Sequence, residues 1–231
     1  MAEQQTALIV GAGSGLSASL ARLFARNDMQ VALAARSPDK LAEFTKATKA
    51  RAFHCDVAQR AEVEALFADL DGAQLTPDVV VYNPSYRARG PLVELDPAEV
   101  EKSIAITAFG GFLVAQAAVK RMLPKRQGTI LFTGTSASIK GYPQSAPFAM
   151  GKFALRGLAQ SMARELQPQG IHVAHVVIDG GIRSARRPVP LDQPDALLNP
   201  DAIAETYLHL IQQPRSAWAS EIELRPWVEK F

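Results

Sequence analysis

The chain has 231 residues, of which 48% are hydrophobic and 21% are charged, and its formal net charge is +2 at pH 7. A chain of this length and apolar content can bury a large core, which excludes extensive disorder and favours one domain over residues 1–231. The near balance of charges argues against a dedicated nucleic-acid-binding protein, since such proteins carry a strong basic excess.

The sequence contains a single cysteine, Cys55, so no disulfide can form within the chain, as in a reducing compartment. The N-terminal residues lack a basic start followed by a long apolar stretch, so no signal peptide is predicted. No continuous apolar run approaches the roughly 20 residues that cross a bilayer. The four histidines lack a metal-ligand spacing. We therefore expect a soluble, cytoplasmic protein with no metal site and no membrane partner.

Short apolar runs alternate with longer helical patterns along the chain. The predicted strands are 6–10, 30–35, 51–54, 78–82, 129–133, 172–178 and 221–224. The predicted helices cover 16–24, a segment that begins with Ser37 as N-cap and Pro38 in the first turn, 63–70, about 96–122 and about 147–166. The repeated strand–helix–strand order predicts an α/β fold, with a single Rossmann-type doubly wound parallel sheet of about seven strands and helices on both faces.

A glycine-rich turn, residues 11–17 (GAGSGLS), joins the first predicted strand to the first helix. Glycine lets the backbone adopt conformations closed to other residues and approach a ligand closely. The N-terminus of the following helix presents free N–H groups and a positive dipole end to an anion. The turn therefore predicts a pyrophosphate site, with candidate contacts from Gly11, Gly13, Ser14, Gly15 and Leu16.

The spacing of this turn is G-x-x-x-G-x-S, which resembles the G-x-x-x-G-x-G pattern of the short-chain dehydrogenase/reductase family, with Ser17 in place of the last glycine. Further similarities follow in chain order: an Asp-Val pair after the third strand, an asparagine after the fourth, and the segment DGGIRS after the sixth. The resemblance implies cofactor contacts from Asp56, Val57, Asn83, Gly180, Ile182 and Ser184.

The end of the second predicted strand, residues 34–37 (AARS), contains no carboxylate. An NAD site usually places an Asp or Glu there to bind the ribose hydroxyls, whereas a guanidinium suits a 2′-phosphate. Arg36, with Ser37 beside it, therefore favours NADP(H) over NAD(H). The family resemblance implies the same preference.

The resemblance also implies a catalytic set of Asn, Ser, Tyr and Lys, in which Tyr and Lys lie four residues apart on a helix. The tyrosine donates a proton to the substrate oxygen, and the lysine lowers the tyrosine pKa and binds the nicotinamide ribose. In the stretch FAMGK, Lys152 matches the lysine, but Phe148 takes the place of the tyrosine. Thr107 falls at the asparagine position, and the serine position falls on Thr135, with Ser136 adjacent.

Two interpretations of this altered set stay open. Another group supplies the proton, with Tyr142 the nearest candidate and Tyr82 and Tyr86 further ones, or the protein binds NADP(H) without catalysis, as a regulatory or scaffold protein. Reduction of an activated alkene is a middle option, because its proton goes to carbon and can come from water. The leading hypothesis is an NADP(H)-dependent oxidoreductase that acts on a small carbonyl, alcohol or activated alkene.

The segment from Ser184 to Pro200 contains four prolines and is predicted to be a loop, of which the stretch 185–199 is the main part. The resemblance implies that it forms a mobile substrate lid, and that the protein assembles as a homodimer or homotetramer through two long helices. Arg183, Arg186 and Arg187 beside this lid are candidates to bind an anionic substrate or the cofactor phosphates. The aromatic C-terminal segment, 218–231, is a candidate contact with a partner subunit.

Overall fold

The computed structural model describes residues 4–228. The strands are β1 (Thr6–Val10), β2 (Gln30–Ala35), β3 (Arg51–His54), β4 (Val79–Tyr82), β5 (Gly128–Thr135), β6 (Ile171–Ile178) and β7 (Glu221–Leu224). The α-helices are α1 (Leu16–Arg26), α2 (Ala42–Thr48), α3 (Arg60–Gly72), α4 (Pro97–Ile104), α5 (Gly110–Met122), α6 (Ala146–Leu166) and α7 (Pro200–Gln212). The α/β fold predicted from the sequence is confirmed.

The seven strands form one parallel sheet in the order β3-β2-β1-β4-β5-β6-β7. The chain order reverses between β1 and β4, so the connections after these two strands turn to opposite faces of the sheet. This leaves a crevice at their carboxyl ends, which is where ligands bind in open parallel sheets. β1, β4 and β6 are buried along their whole length because helices cover both faces of the sheet. One apolar layer contains α1 and α7, and the other contains α3, α5 and α6.

The predicted helix at about 96–122 is interrupted near its middle. It consists of α4, a π-helical segment (Ala105–Phe109) and α5. Gly110 at the start of α5 lies so close to β4 that a Cβ atom there would be 2.7 Å from the hydroxyl of Tyr82. The widened turn thus accompanies a close approach of helix to sheet, and such widened turns are frequent at functional sites.

Two boundary predictions are corrected. Ser37 precedes a 3-10 helix (Pro38–Leu41) with Pro38 in its first turn, but its side chain makes no capping hydrogen bond, and α2 begins only at Ala42. The sequence analysis also missed α7. Pro200, interpreted there as part of the loop, is the first residue of this helix, and the side chain of Asn199 accepts a hydrogen bond from the backbone N–H of Asp201.

The stretch 185–199 is irregular and mostly exposed, as predicted for a loop. Ile182, shortly before this stretch, pairs with Leu198 near its end, and backbone hydrogen bonds of 2.8 and 3.0 Å join the two segments. We call this pairing the neck of the loop. The indole N–H of Trp227 donates to Asp195 in the loop at 2.9 Å. The loop is therefore tied both to the end of β6 and to the C-terminal segment.

One stretch of the described chain, Pro97–Lys125, is long and apolar enough to cross a membrane by length and composition alone, contrary to the expectation that no such stretch exists. Half of it is buried inside the fold, where Val114, Ala115 and Ala118 of α5 pack in the core. This burial is typical of a core helix.

Trp218 of the aromatic C-terminal segment packs within its own chain, because its ring stacks on His172 at a centroid distance of 4.8 Å. Phe231, at the end of that segment, lies outside the described residues. Both His172 and His175 are buried in β6.

Candidate functional site

The glycine-rich turn lies at the carboxyl end of β1, at the crevice of the sheet. Gly11 has φ of +77°, and a Cβ atom there would lie 2.8 Å from the Pro84 ring, so only glycine fits. The positions that Cβ atoms would take at Gly13 and Gly15 face open space. Gly15 is the N-cap of α1, and no side chain caps this helix end. The first amides of α1 are thus available to an anion, and the turn fits a diphosphate.

Ser17, which replaces the last glycine of the family pattern, connects the turn to β4. Its hydroxyl donates to the backbone carbonyl of Gly11 (3.2 Å) and accepts a hydrogen bond from the amide of Asn83 (2.8 Å). The serine therefore holds the turn against the end of β4. Leu16 beside it packs into the core, so only its backbone faces the turn.

The structure gathers most of the predicted cofactor-binding residues around two hollows at this edge of the sheet, each of about 290 Å³. The first hollow is lined, among others, by Gly11, Arg36, Asp56, Val57 and Asn83. The second is lined, among others, by Ser14, Gly15, Arg183 and Ser184. Residues predicted from five separate segments thus converge on the N-terminus of α1.

Six predicted cofactor contacts do not line either hollow, and two of these, Leu16 and Lys152, are buried. Ser37 is exposed, and Gly13 faces open space. Gly180 has φ of +154°, and a Cβ atom there would lie 2.7 Å from Pro226. Ile182 packs against the core at the neck of the 185–199 loop.

Lys152 lies on α6 and is fully buried. Its ammonium nitrogen donates to the backbone carbonyl of Thr133 on β5 at 2.7 Å. Burial, and then the nearby charge of Arg87, lower the pKa of Lys152 to about 7. Phe148, one turn earlier on the same helix, is also buried. A phenyl ring has no hydroxyl proton to exchange. Lys152 therefore has no tyrosine hydroxyl at position 148 whose pKa it could lower.

The two candidate hydroxyls at the end of β5 are half-buried. The Thr135 hydroxyl accepts a hydrogen bond from the backbone N–H of Ala137 at 3.1 Å, as a cap of the short helical turn Ser136–Ser138. Among residues 4–228, no acceptor takes the proton of the Thr135 hydroxyl. This proton is available to a substrate oxygen.

The three candidate tyrosines differ in their surroundings. Tyr82 is buried, its hydroxyl donates to the carbonyl of Ile106, and burial raises its pKa well above the ordinary value. The hydroxyl of Tyr86 donates to the carboxylate of Glu99. Tyr142 is 45% exposed, and its hydroxyl lies beside the ammonium of Lys140. Tyr142 is the accessible phenol of the three, but its cationic neighbour is Lys140 rather than Lys152.

Thr107, at the asparagine position of the family, lies in the π-helical segment and is buried. Its hydroxyl accepts a hydrogen bond from the backbone N–H of Tyr86 at 3.2 Å. A Cβ atom on Gly151 of α6 would lie 2.9 Å from the Cβ of Thr107, so the two helical segments touch here. Thr107 therefore supports the loop that follows β4.

That loop contains a residue that the sequence analysis missed. The guanidinium of Arg87 lies over the ring of Phe148 at 4.4 Å from the centroid. Burial, followed by the charges of Arg89 and Arg187, lowers the pKa of Arg87. The signal in the sequence is the Arg-Ala-Arg triplet just after the fourth strand, at the ligand side of the sheet.

Comparison with known proteins agrees with this geometry. The family model described as short chain dehydrogenase matches residues 5–187. An uncharacterized oxidoreductase of Staphylococcus aureus is 25% identical over 226 residues, which are 95% of this chain and 96% of the relative.

Two solved structures extend the likeness to three dimensions. A short-chain dehydrogenase from Rhodopseudomonas palustris is 33% identical, with a TM-score of 0.84 over 97% of this chain and 100% of that one. A metagenomic short-chain oxidoreductase in complex with NADP is 26% identical, with a TM-score of 0.85 over 97% of this chain and 98% of that one. The chain, with its glycine-rich turn at the crevice of a seven-stranded parallel sheet, belongs to the short-chain dehydrogenase family of oxidoreductases.

Proposed function

We propose that the protein is an NADP(H)-dependent oxidoreductase with an altered active site, which acts on a small carbonyl, alcohol or activated alkene. The observation that carries the proposal is the convergence of the uncapped helix end, the open glycine turn and Arg36 on the crevice after β1, with Lys152 buried against β5. A structural relative with the same fold was solved with NADP, which supports the cofactor class.

The residues present fit such a cofactor. The amides at the start of α1 and the open positions at Gly13 and Gly15 would hold the diphosphate. Asp56 and Arg36 line the hollow next to the turn, where the adenosine end would lie. Bound NADP(H) would supply or accept the hydride.

Arg36 should set the choice between the two cofactors. We expect Arg36→Ala to weaken NADPH binding about tenfold, because a charge-assisted contact to the 2′-phosphate is lost at an exposed site. NADH binding should stay unchanged, since NADH has no phosphate at this position. Calorimetric titration of both nucleotides measures the effect, with Arg26→Ala at the far end of α1 as the control. An equal loss for both nucleotides, or none, would contradict this role.

The chain offers three groups for chemistry at the reacting centre. The hydroxyl of Thr135, with Ser136 adjacent, would donate a hydrogen bond to a substrate oxygen. Lys152 would bind the ribose and place a positive charge behind the site. Tyr142 is the candidate proton donor; in reduction of an activated alkene, water takes this role. The test is NADPH oxidation against a panel of aldehydes, ketones and enones.

A second candidate function is non-catalytic binding of NADP(H) by a regulatory or scaffold protein. The observation that favours it is Phe148, a buried phenyl ring in the place of the family's proton donor. Tight NADPH binding without turnover of any compound in the panel would support this candidate over the enzyme.

Self-association is proposed through the outer face of α5 and α6. Phe109, Phe112, Met150 and Phe153 are each 40% or more exposed. Phe109 and Met150 also line an apolar groove of about 690 Å³ between α4, the π-helical segment and the start of α6. A surface this apolar is typical of an interface between subunits.

We therefore expect a homodimer or homotetramer in sedimentation velocity at micromolar concentration. Phe109→Glu should shift the protein towards monomers, because a carboxylate would be buried without a partner. Arg26→Glu, at an exposed site away from this face, is the control. A wild-type protein that sediments as a monomer would refute the assembly.

A further inference from the structure

Three arginines from two loops are close enough for their charges to interact, and one of them, Arg87, lies over Phe148. Arg87 and Arg89 follow β4, and Arg187 lies in the 185–199 loop after β6. The guanidinium of Arg87 stacks on the ring of Phe148, and the charges of Arg89 and Arg187 both act on it. The two loops come from the carboxyl ends of parallel strands, where substrates of such folds bind.

These three positive charges have no negative partner within residues 4–228. No carboxylate of the described residues lies within 4 Å of any of the three guanidinium groups. Two other arginines at this edge do have partners, since Arg22 pairs with Asp201 and Arg183 donates to Asn199. Like charges held together without a counter-charge repel one another, and a bound anion would remove this repulsion.

Arg87 lies apart from the predicted diphosphate site, whereas Pro188 and Val189, which follow Arg187, line the second hollow. Neither Arg87 nor Arg187 lines the two hollows around the glycine-rich turn. The arginine of the first hollow is Arg36, and those of the second are Arg22 and Arg183. Arg87 instead covers Phe148, one helical turn before Lys152. The uncompensated charge of Arg87 thus lies beside Phe148 and Lys152, the two positions of α6 that match the family's tyrosine and lysine.

Arg187 is held in place by its surroundings. Its backbone exchanges hydrogen bonds of 3.0 Å with Ser184 in both directions. Its guanidinium packs so closely on Gly181 that a Cβ atom there would lie 2.6 Å from Nη1 of Arg187. A side chain that is already positioned loses less entropy when it binds a ligand.

We propose that Arg87 and Arg187 bind a carboxylate of the substrate, so that the substrate is a small oxo, hydroxy or unsaturated acid rather than a neutral compound. A planar guanidinium matches the two oxygens of a carboxylate, and two such forks from facing loops would fix its orientation. This inference rests on the proposed function and names the substrate class for the same site.

The test compares acids with their neutral esters. Lactate, 3-hydroxybutyrate and mandelate, each paired with its methyl ester, are titrated into the protein loaded with NADPH, where no turnover occurs because both partners are reduced. We expect at least one acid to bind about tenfold or more tightly than its ester, as charge-assisted hydrogen bonds require. Added sodium chloride should weaken binding of the acid and leave the ester unaffected.

Variants assign the preference to the two arginines. Arg87→Met keeps an apolar cover on Phe148 but removes the charge. Arg187→Met removes the charge of the 185–199 loop and keeps a side chain of similar length. Each should reduce the preference for the acid to about threefold or less, with the affinity for the ester unchanged. Arg26→Met, which removes a charge at the far end of α1, should keep the wild-type preference. Thermal unfolding of each variant verifies that the fold is intact.

The outcomes distinguish this inference from the proposed function. Equal binding of every acid and its ester by the wild type, or a preference that survives in both variants, would overturn the carboxylate site even when NADPH binds. A wild-type protein that does not bind NADPH would contradict the proposed function. The same titrations on the protein without nucleotide would then decide the carboxylate site.

Discussion

Phe148→Tyr should raise kcat/KM for carbonyl reduction by about 10²-fold or more. A positioned general acid contributes this much or more to proton transfer, and the wild-type ring has none. Lys152 lies four residues further along α6, so both side chains share one face of the helix. A protonated Lys152 would lower the pKa of a phenol beside it, and the hydroxyl of Thr135 is available to a substrate oxygen. The measurement is NADPH oxidation with the best ketone of the panel.

Two controls accompany this variant. Phe148→Leu should show no gain, because it changes the ring without adding a proton donor. Combining Phe148→Tyr with Lys152→Met should cancel the gain, because the phenol would lose its cationic neighbour. If Phe148→Tyr folds and binds NADPH like the wild type but its rate does not rise, the reacting centre is not arranged for reduction. The non-catalytic function would then be favoured.

Lys152→Met should stabilise the fold at pH 6 by about 2 kcal/mol and destabilise it at pH 10. The pKa of Lys152 falls from 10.5 in the unfolded chain to about 7 in the fold, a difference worth roughly 4 to 5 kcal/mol. Methionine removes this penalty but leaves the carbonyl of Thr133 without its donor, which costs about 1 to 3 kcal/mol.

The pH dependence follows from the direction of the shift. Between pH about 7 and 10.5 the unfolded chain binds more protons than the fold, so wild-type stability rises with pH across this window. The penalty is fully present below pH 7 and absent above 10.5. Urea unfolding at pH 6 and pH 10 measures it, with exposed Lys120→Met as the control. A variant less stable than the wild type at both pH values would contradict the prediction that the buried charge of Lys152 destabilises the fold at pH 6.

A gain in stability at pH 6 would also bear on function. A buried lysine that destabilises the fold is expected to serve activity, because replacements that stabilise a protein at a functional site commonly reduce its activity. The variant's NADPH affinity, measured alongside, tests the proposed ribose contact directly.

Much of the fold follows from the sequence because its signals are local. The alternation of apolar strands and helical patterns predicted the doubly wound sheet, and all seven strands appear within two residues of their expected ends. The glycine-rich turn was recognisable because glycine, an exposed helix end and a preceding strand are neighbours in the chain. Proline occurs both in loops and in the first turn of helices, so the residue type alone does not distinguish the two. For this reason Pro200 was assigned to a loop although it begins α7.

The candidate site likewise combines features that local sequence predicts with features that depend on tertiary packing. The sequence by itself determined that the chain has a glycine-rich turn after β1, an arginine rather than an acidic residue after β2, and a phenylalanine at the position that matches the family's tyrosine, since each is a matter of residue identity and spacing. Only the tertiary structure placed Arg87 over Phe148, joined Ser17 to Asn83 and buried Lys152 against β5. These contacts join segments far apart in the chain, and their existence depends on how helices and loops pack on the sheet, which local patterns do not encode.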